Sequence, residues 1–130
     1  FGQPEIMVGV FAPAASCLLP TIIGQAKAED LLFSGRSVSA DEAAGMGLVF
    51  AVSENPENAA LAYFDNNLAG KSASVMRYAV RAVREDFADA MAAKLEELEE
   101  LYVDGLMETH DAVEGLEAFL EKRQAKWENR

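Results

Sequence analysis

Glu5 is the residue of this chain whose type and setting could do acid–base chemistry. It follows Pro4, whose ring fixes φ and removes a backbone donor, so the carboxylate stands on stiffened backbone. The apolar run Ile6-Met7-Val8 comes next and reads as a short buried strand end or core segment over residues 6–9. A carboxyl group partly withdrawn from water has its pKa raised toward neutrality and can serve as general acid or base. An ordinary solvated glutamate fits the same residues, so residue type alone leaves both readings open.

The other chemical candidates are scattered. Lys122, Arg123, Lys126 and Arg130 form a small basic island in an acidic chain. It could seat a phosphate, or it could simply complement the negative end of a helix. Cys17 lies near an expected helix start, where thiolates are favoured, yet it also reads as a small buried residue. His110, the only histidine, has no triad partners in the sequence around it, and Trp127 reads as a packing anchor. No glycine loop shaped for phosphate and no cluster with metal-ligand spacing is present in the sequence.

Composition narrows the function classes. The chain has 130 residues, of which 51% are hydrophobic, enough for one globular domain. Net charge is -11, which argues against general binding of nucleic acid. No apolar run approaches the ~20 residues of a membrane span. The single Cys17 excludes an internal disulfide and fits a reducing, cytoplasmic setting. The acids concentrate toward the C-terminal half, and Glu96-Glu97-Leu98-Glu99-Glu100 reads as the solvated face of a helix.

The elements that must position Glu5 read as mostly helical. Ala12-Pro13 opens a helix to about residue 23, ended by Gly24, and a second helix over residues 26–33 stops at Ser34-Gly35. Ser39-Ala40-Asp41-Glu42 is a capping box, with a reciprocal bond from Glu42 expected, and its short helix ends at Gly45 or Gly47. Leu48-Val49-Phe50-Ala51-Val52 has the length and composition of a strand. Asn55-Pro56-Glu57 starts a helix to about residues 69–70, and Ser72 caps the next, with Val75, Met76, Ala79, Val80 and Val83 on its apolar face. A further long segment aligns Phe87, Met91, Leu95, Leu98 and Tyr102 in one amphipathic stripe. Asp111 and Glu114 suit the start of a final helix that turns Val113, Leu116, Phe119 and Leu120 inward. Two short strands make no self-sufficient sheet, so the apolar stripes call for cover by one another or by a sheet supplied from elsewhere, the second being favoured.

Three segments resemble the enoyl-CoA hydratase/isomerase, or crotonase, superfamily. Phe1-Gly2-Gln3-Pro4-Glu5-Ile6 is similar to the family segment that ends in a catalytic glutamate. Ser34-Gly35-Arg36-Ser37-Val38-Ser39-Ala40-Asp41-Glu42-Ala43, with Gly47-Leu48-Val49 after it, is similar to the family's glycine turn, capped helix and following strand. The stretch from Glu114 to Arg123 is similar to its closing helix. They stand in the family's order and at compatible spacing, so the resemblance covers essentially the whole chain.

The resemblance implies a mainly α piece of an α/β parent: residues 1–53 as the end of the ββα spiral and residues 54–130 as the helical region that builds trimers or dimers of trimers. Such a piece starts within a motif, and the expectation is a fragment or excised domain. Family members bind acyl-CoA thioesters, hold the thioester carbonyl in an oxyanion hole of two backbone N–H groups, and move protons with one or two carboxylates. By this resemblance Glu5 is one of the two hydratase glutamates. Lys122 is a lysine that meets the CoA phosphates, and Tyr102 or Val103 falls where an aromatic residue contacts adenine. The second glutamate and the oxyanion-hole segments lie upstream in the family, so this piece alone is expected to be inactive. Coenzyme A enters as part of the substrate, and no metal or other cofactor is implied.

One departure bears on the substrate. Where family hydratases read Gly-x-x-Pro-Gly-Ala-Gly-Gly, this chain reads Gly9-Val10-Phe11-Ala12-Pro13-Ala14-Ala15-Ser16-Cys17. Methyl groups replace open space and the backbone loses freedom. The acyl pocket at Val10, Phe11, Pro13 and Ser16 should therefore differ from that of a straight-chain hydratase. Within the family the run is most similar to hydratases that act on cyclic conjugated dienoyl thioesters in anaerobic aromatic degradation. Isomerisation, hydrolysis or decarboxylation on the same scaffold would use the same carboxylate and lysine. A non-catalytic helical association module is the alternative of a different class, and the Phe87–Tyr102 stripe supports it.

Overall fold

A computed structural model describes all residues, 1–130. Its elements run as a 3₁₀ turn (Pro4–Val8), α1 (Pro13–Ile23), α2 (Gln25–Ser34), α3 (Ala40–Met46), α4 (Pro56–Asn67) and α5 (Ala73–Glu100), then a π-helical turn (Leu101–Gly105), a short 3₁₀ turn (Leu106–Glu108) and α6 (His110–Glu121). No helix is long and apolar enough to cross a membrane.

The helix ends follow local chemistry. The Ser39 hydroxyl accepts from the Glu42 amide at 3.1 Å, and the Asn55 side chain accepts from Asn58 at 3.0 Å. Gly35 and Gly47 close α2 and α3 in the left-handed conformation. The reciprocal half of the capping box does not form, because the Glu42 carboxylate pairs instead with Arg36 at 2.8 Å. Ser72 stands at the start of α5 without capping it; its hydroxyl lies 2.9 Å from that of Ser74.

Neither expected strand exists. Over residues 6–9 the chain coils into the 3₁₀ turn: the Gly9 amide donates to the Ile6 carbonyl at 3.3 Å and the Val10 amide to the Glu5 carbonyl at 3.2 Å. After Gly47 the Leu48 amide turns back to the Ala43 carbonyl at 2.8 Å, and residues 48–52 find no ladder partner. A strand exists only through a neighbour that takes its N–H and C=O groups, and an apolar run without one settles into turns. The sole β contact is a bridge between Gly2 and Ser37, with the Val38 amide donating to the Phe1 carbonyl at 2.7 Å.

The core is small. Leu19, Ile23, Ala28, Leu31, Val38 and Ala43 bury one another between α1, α2 and α3. The segments expected as two helices around residues 73–102 are one 28-residue helix, α5, which packs on α1. Met91, Leu95 and Leu98 are half-buried in the expected stripe, whereas Val75, Val80 and Val83 face outward with Leu61, Tyr63 and Phe64 of α4. These apolar side chains have no cover within the chain.

The inward face of α6 is also other than expected. Ala112, Gly115 and Ala118 are buried, while Phe119 and Leu120 are 65% and 78% exposed and Val113 also points outward. The reason is distance. α6 lies so close to the Pro4–Val8 turn that a Cβ on Gly115 would overlap the Val8 carbonyl oxygen and come within 3.0 Å of the Trp127 ring. Only small side chains fit such a contact, so the bulky ones rotate away.

Gly115→Ala should therefore cost about 1–3 kcal/mol by overpacking. Gly45→Ala, in a helix with nothing within 4 Å of the new methyl, should be neutral or stabilising by about 0.5–1 kcal/mol. Parallel denaturant melts of the two variants check the contrast; equal stabilities would mean that α6 stands further off.

Candidate active site

Glu5 sits in a cleft of about 270 Å³ between two parts of the chain. One wall is the turn and the loop after it, with Val10, Phe11, Ala12 and Pro13; the other is the end of α5 and the π-helical turn, with Glu99, Tyr102 and Val103. Pro4 opens the turn, Gly9 closes it at φ +80°, and the Val10 amide is tied to the Glu5 carbonyl. The Glu5 backbone is thus held from both sides. Val10, at 6% exposed, and Ala12 plug the floor.

The Glu5 carboxylate itself is not engaged. Its Oε2 atom is buried and has no hydrogen-bond partner within the chain. Buried carboxylate oxygens are ordinarily satisfied, so an orphan beside a cleft is free to meet a proton, a water or a substrate. The two walls meet at an aromatic contact: Phe11 and Tyr102 stand edge to face, centroids 5.4 Å apart and planes at 67°. The widened turn at Leu101–Gly105 brings Tyr102 there, and such π turns recur at functional sites.

Of the residues singled out from sequence, the cleft collects Glu5, Val10, Phe11, Pro13 and Tyr102. Ser16 lies outside it, half-buried on α1. Lys122 is also outside, exposed at the end of α6 with φ +56°, a position where glycine is usual. Glu99 was hidden in an acidic run that reads as solvated face; only the turn of α5 toward the loop shows it lining the cleft. Cys17 is buried and free, and His110 meets only carboxylates, Asp111 at 3.1 Å and Glu128 at 3.9 Å.

Behind the cleft the C-terminal tail folds back on α6. Asp111 accepts from the Glu128 and Asn129 amides, both at 2.7 Å, and Glu114 accepts from the Lys126 amide at 2.8 Å and from the Arg123 guanidinium at 2.5 and 2.8 Å. Arg123 beside it, with the Lys126 amide, holds the Glu114 carboxyl down at about 2. The Glu128 amide and His110 lower that of Asp111. Trp127 is thereby laid against Gly9 and Gly115, in contact with the turn that carries Glu5.

The sequence model described as enoyl-CoA hydratase/isomerase matches residues 1–130. The chain belongs to the enoyl-CoA hydratase/isomerase family. It is 59% identical, over all 130 of its residues, to cyclohexa-1,5-dienecarbonyl-CoA hydratase of Thauera aromatica, and covers 50% of that protein. It is 37% identical to a probable enoyl-CoA hydratase of Mycobacterium leprae, covering 51% of it. The chain spans about half the length of the curated relatives it matches. Among solved structures, an enoyl-CoA hydratase/isomerase from Pseudoalteromonas atlantica superposes with a TM-score of 0.79 at 29% identity, over 98% of this chain and 52% of that one. A carnitinyl-CoA hydratase from Mycobacterium avium shares the fold, with a TM-score of 0.80 at 24% identity, over 100% of this chain and 51% of that one. The chain has the architecture of the helical C-terminal part of the crotonase fold.

The tail contacts titrate in a defined direction. Because the folded pKa of Glu114 is depressed, its contribution is fully present above its ordinary value of 4.5 and lost as pH falls toward about 2. Emission of Trp127, the only tryptophan, should report the tail coming away from Gly9 over that interval. Glu114→Gln should loosen the tail already at neutral pH; unchanged emission in that variant would mean that the carboxylate does not hold the strap.

Proposed function

We propose that the whole protein is a hydro-lyase that adds water to a conjugated enoyl- or dienoyl-CoA thioester, with cyclohexa-1,5-diene-1-carbonyl-CoA as its substrate. The observation that carries the reading is the unpartnered, buried Glu5 oxygen at an apolar cleft, in a chain 59% identical to a hydratase of that diene. Glu5 transfers a proton between water and the substrate carbon while the hydroxyl oxygen bonds to the far end of the conjugated system. By the family resemblance, the second glutamate and the oxyanion-hole donors come from segments that precede these in the parent. Preorganised donors of that kind lower a barrier by several kcal/mol because the developing enolate charge meets fixed dipoles. The reaction needs no metal and no nicotinamide, coenzyme A being part of the substrate.

The remaining assignments belong to the same reading. Residues 1–53 carry Glu5 and the acyl loop; residues 54–130 carry the CoA contact and the oligomer interface. Lys122 is the phosphate contact, supported by its exposure beside Arg123, which Glu114 and Glu121 already occupy. The uncovered apolar face of α4 and α5 supports a homo-oligomer, a trimer or a dimer of trimers. The free, buried Cys17 supports a reducing cytoplasmic setting.

Glu5→Gln in the whole protein should lower turnover by about 10²–10⁴-fold, the usual worth of a positioned acid or base, with CoA affinity nearly unchanged. Near-normal turnover would remove Glu5 from the chemistry. Product mass and absorbance separate the reaction classes: a gain of one water marks hydration, and a shifted double bond at constant mass would make the protein an isomerase. Lys122→Ala should weaken free CoA without lowering turnover at saturating substrate.

A further inference from the structure

The geometry points to Tyr102, backed by Phe11, as a specificity-determining residue that selects a planar ring at the acyl end of the cleft. This rests on the acyl-CoA reading above and names the part of the site that distinguishes ring from chain.

Four observations converge on it. Tyr102 lines the same cleft as Glu5, so a thioester whose reacting carbon reaches Glu5 has its acyl group, not its adenine, against the tyrosine. Adenine is separated from the thioester by the whole pantetheine arm and the diphosphate, and one molecule cannot place both ends in one cleft. Next, the two walls meet in a pre-assembled aromatic pair, 5.4 Å between centroids at 67°, and such pairs offer ring faces and edges to a further ring. The loop that carries Phe11 is rigid, since Pro13 starts α1 and Ala12 is buried at the entrance to it. Finally, the size fits: an apolar cavity of about 150 Å³ holds benzene, and this cleft of about 270 Å³ admits a six-membered ring with its carbonyl. A flat ring gains the aromatic contacts at little cost in torsional freedom. A short straight chain fills less of the slot and must freeze its rotors.

The π-helical turn is what places the ring. It widens the end of α5 over Leu101–Gly105, and the Leu106 amide reaches back to the Leu101 and Tyr102 carbonyls. Tyr102 is thereby held through its backbone, on a turn that starts two residues after Glu99.

The test compares binding of two unreactive thioesters, benzoyl-CoA and butyryl-CoA, with free CoA as reference, by calorimetry on the whole protein. Tyr102→Leu should weaken benzoyl-CoA about tenfold while butyryl-CoA and CoA change by less than about twofold. Tyr102→Phe should keep the ring preference, since it keeps the ring. Equal weakening of all three ligands would make Tyr102 an adenine contact and overturn the proposal; an unchanged benzoyl-to-butyryl ratio would overturn it too. Phe11→Leu, on the loop, is expected to erode the same ratio and serves if Tyr102→Leu does not fold. Hydration of cyclohexa-1,5-diene-1-carbonyl-CoA by the unsubstituted protein is read separately. Its failure alongside an intact Tyr102-dependent ring preference would sink the hydratase reading only. Its success alongside an unchanged ratio would sink the slot only.

Discussion

The contact on which the rest depends is the one between the Gly115 backbone on α6 and the Val8 carbonyl on the Pro4–Val8 turn. No side chain separates the two segments, and Trp127 closes the gap on the open side against both Gly9 and Gly115. A packed interior transmits displacement because it has few voids to absorb it. Glu5 lies three residues before Val8 on the same turn, so the depth at which α6 docks determines where the carboxylate stands. The tail completes the arrangement by using backbone amides rather than charged tips: Asp111 and Glu114 accept from Glu128, Asn129 and Lys126. The closing helix and the residues after it are therefore a brace for the first residues of the chain.

A second constraint is how little the chain buries. Twelve of its 130 residues are buried, and neither α4 nor α5 contributes one. A domain of this length ordinarily withdraws roughly two-thirds of its unfolded surface from water. Exposed apolar side chains run along α4 and α5 and recur at Phe1, Met7, Phe33, Phe50, Phe119 and Leu120, the pattern of surfaces that meet another polypeptide. The cleft lies where α5 ends and the π-helical turn brings Tyr102 against Phe11. The same helix thus offers its first half outward and delivers Glu99 and Tyr102 to the cleft at its end.

How much of this was legible in the residues varies with the range of the interaction. Caps and stops are local, and Ser39, Asn55, Gly24, Gly35 and Gly47 mark their helix ends because the partner of each is only a few residues away. The same locality explains the correct stripe from Met91 to Leu98. Residues 6–9 and 48–52 were misread for the opposite reason: β structure is a property of pairs, and composition says nothing of whether a partner strand lies alongside. The inward face of α6 was misread because periodicity assigns the bulky side chains to the interior, whereas a backbone-to-backbone contact takes the small ones.

The sequence by itself determined the family, through three motifs in order, and the chemical identity of Glu5 on a proline-stiffened backbone. It also determined the substituted loop from Gly9 to Cys17, since these are matters of residue type and spacing along the chain. Tertiary structure alone decided that Tyr102 stands against Phe11 beside Glu5, that Glu99 leaves the solvated run to line the same cleft, and that Ser16 and Lys122 do not join it. Those juxtapositions span roughly ninety residues of chain and are set by how closely α5 and α6 approach the first turn. No local preference encodes such a distance, because it is the sum of packing contacts from every element between.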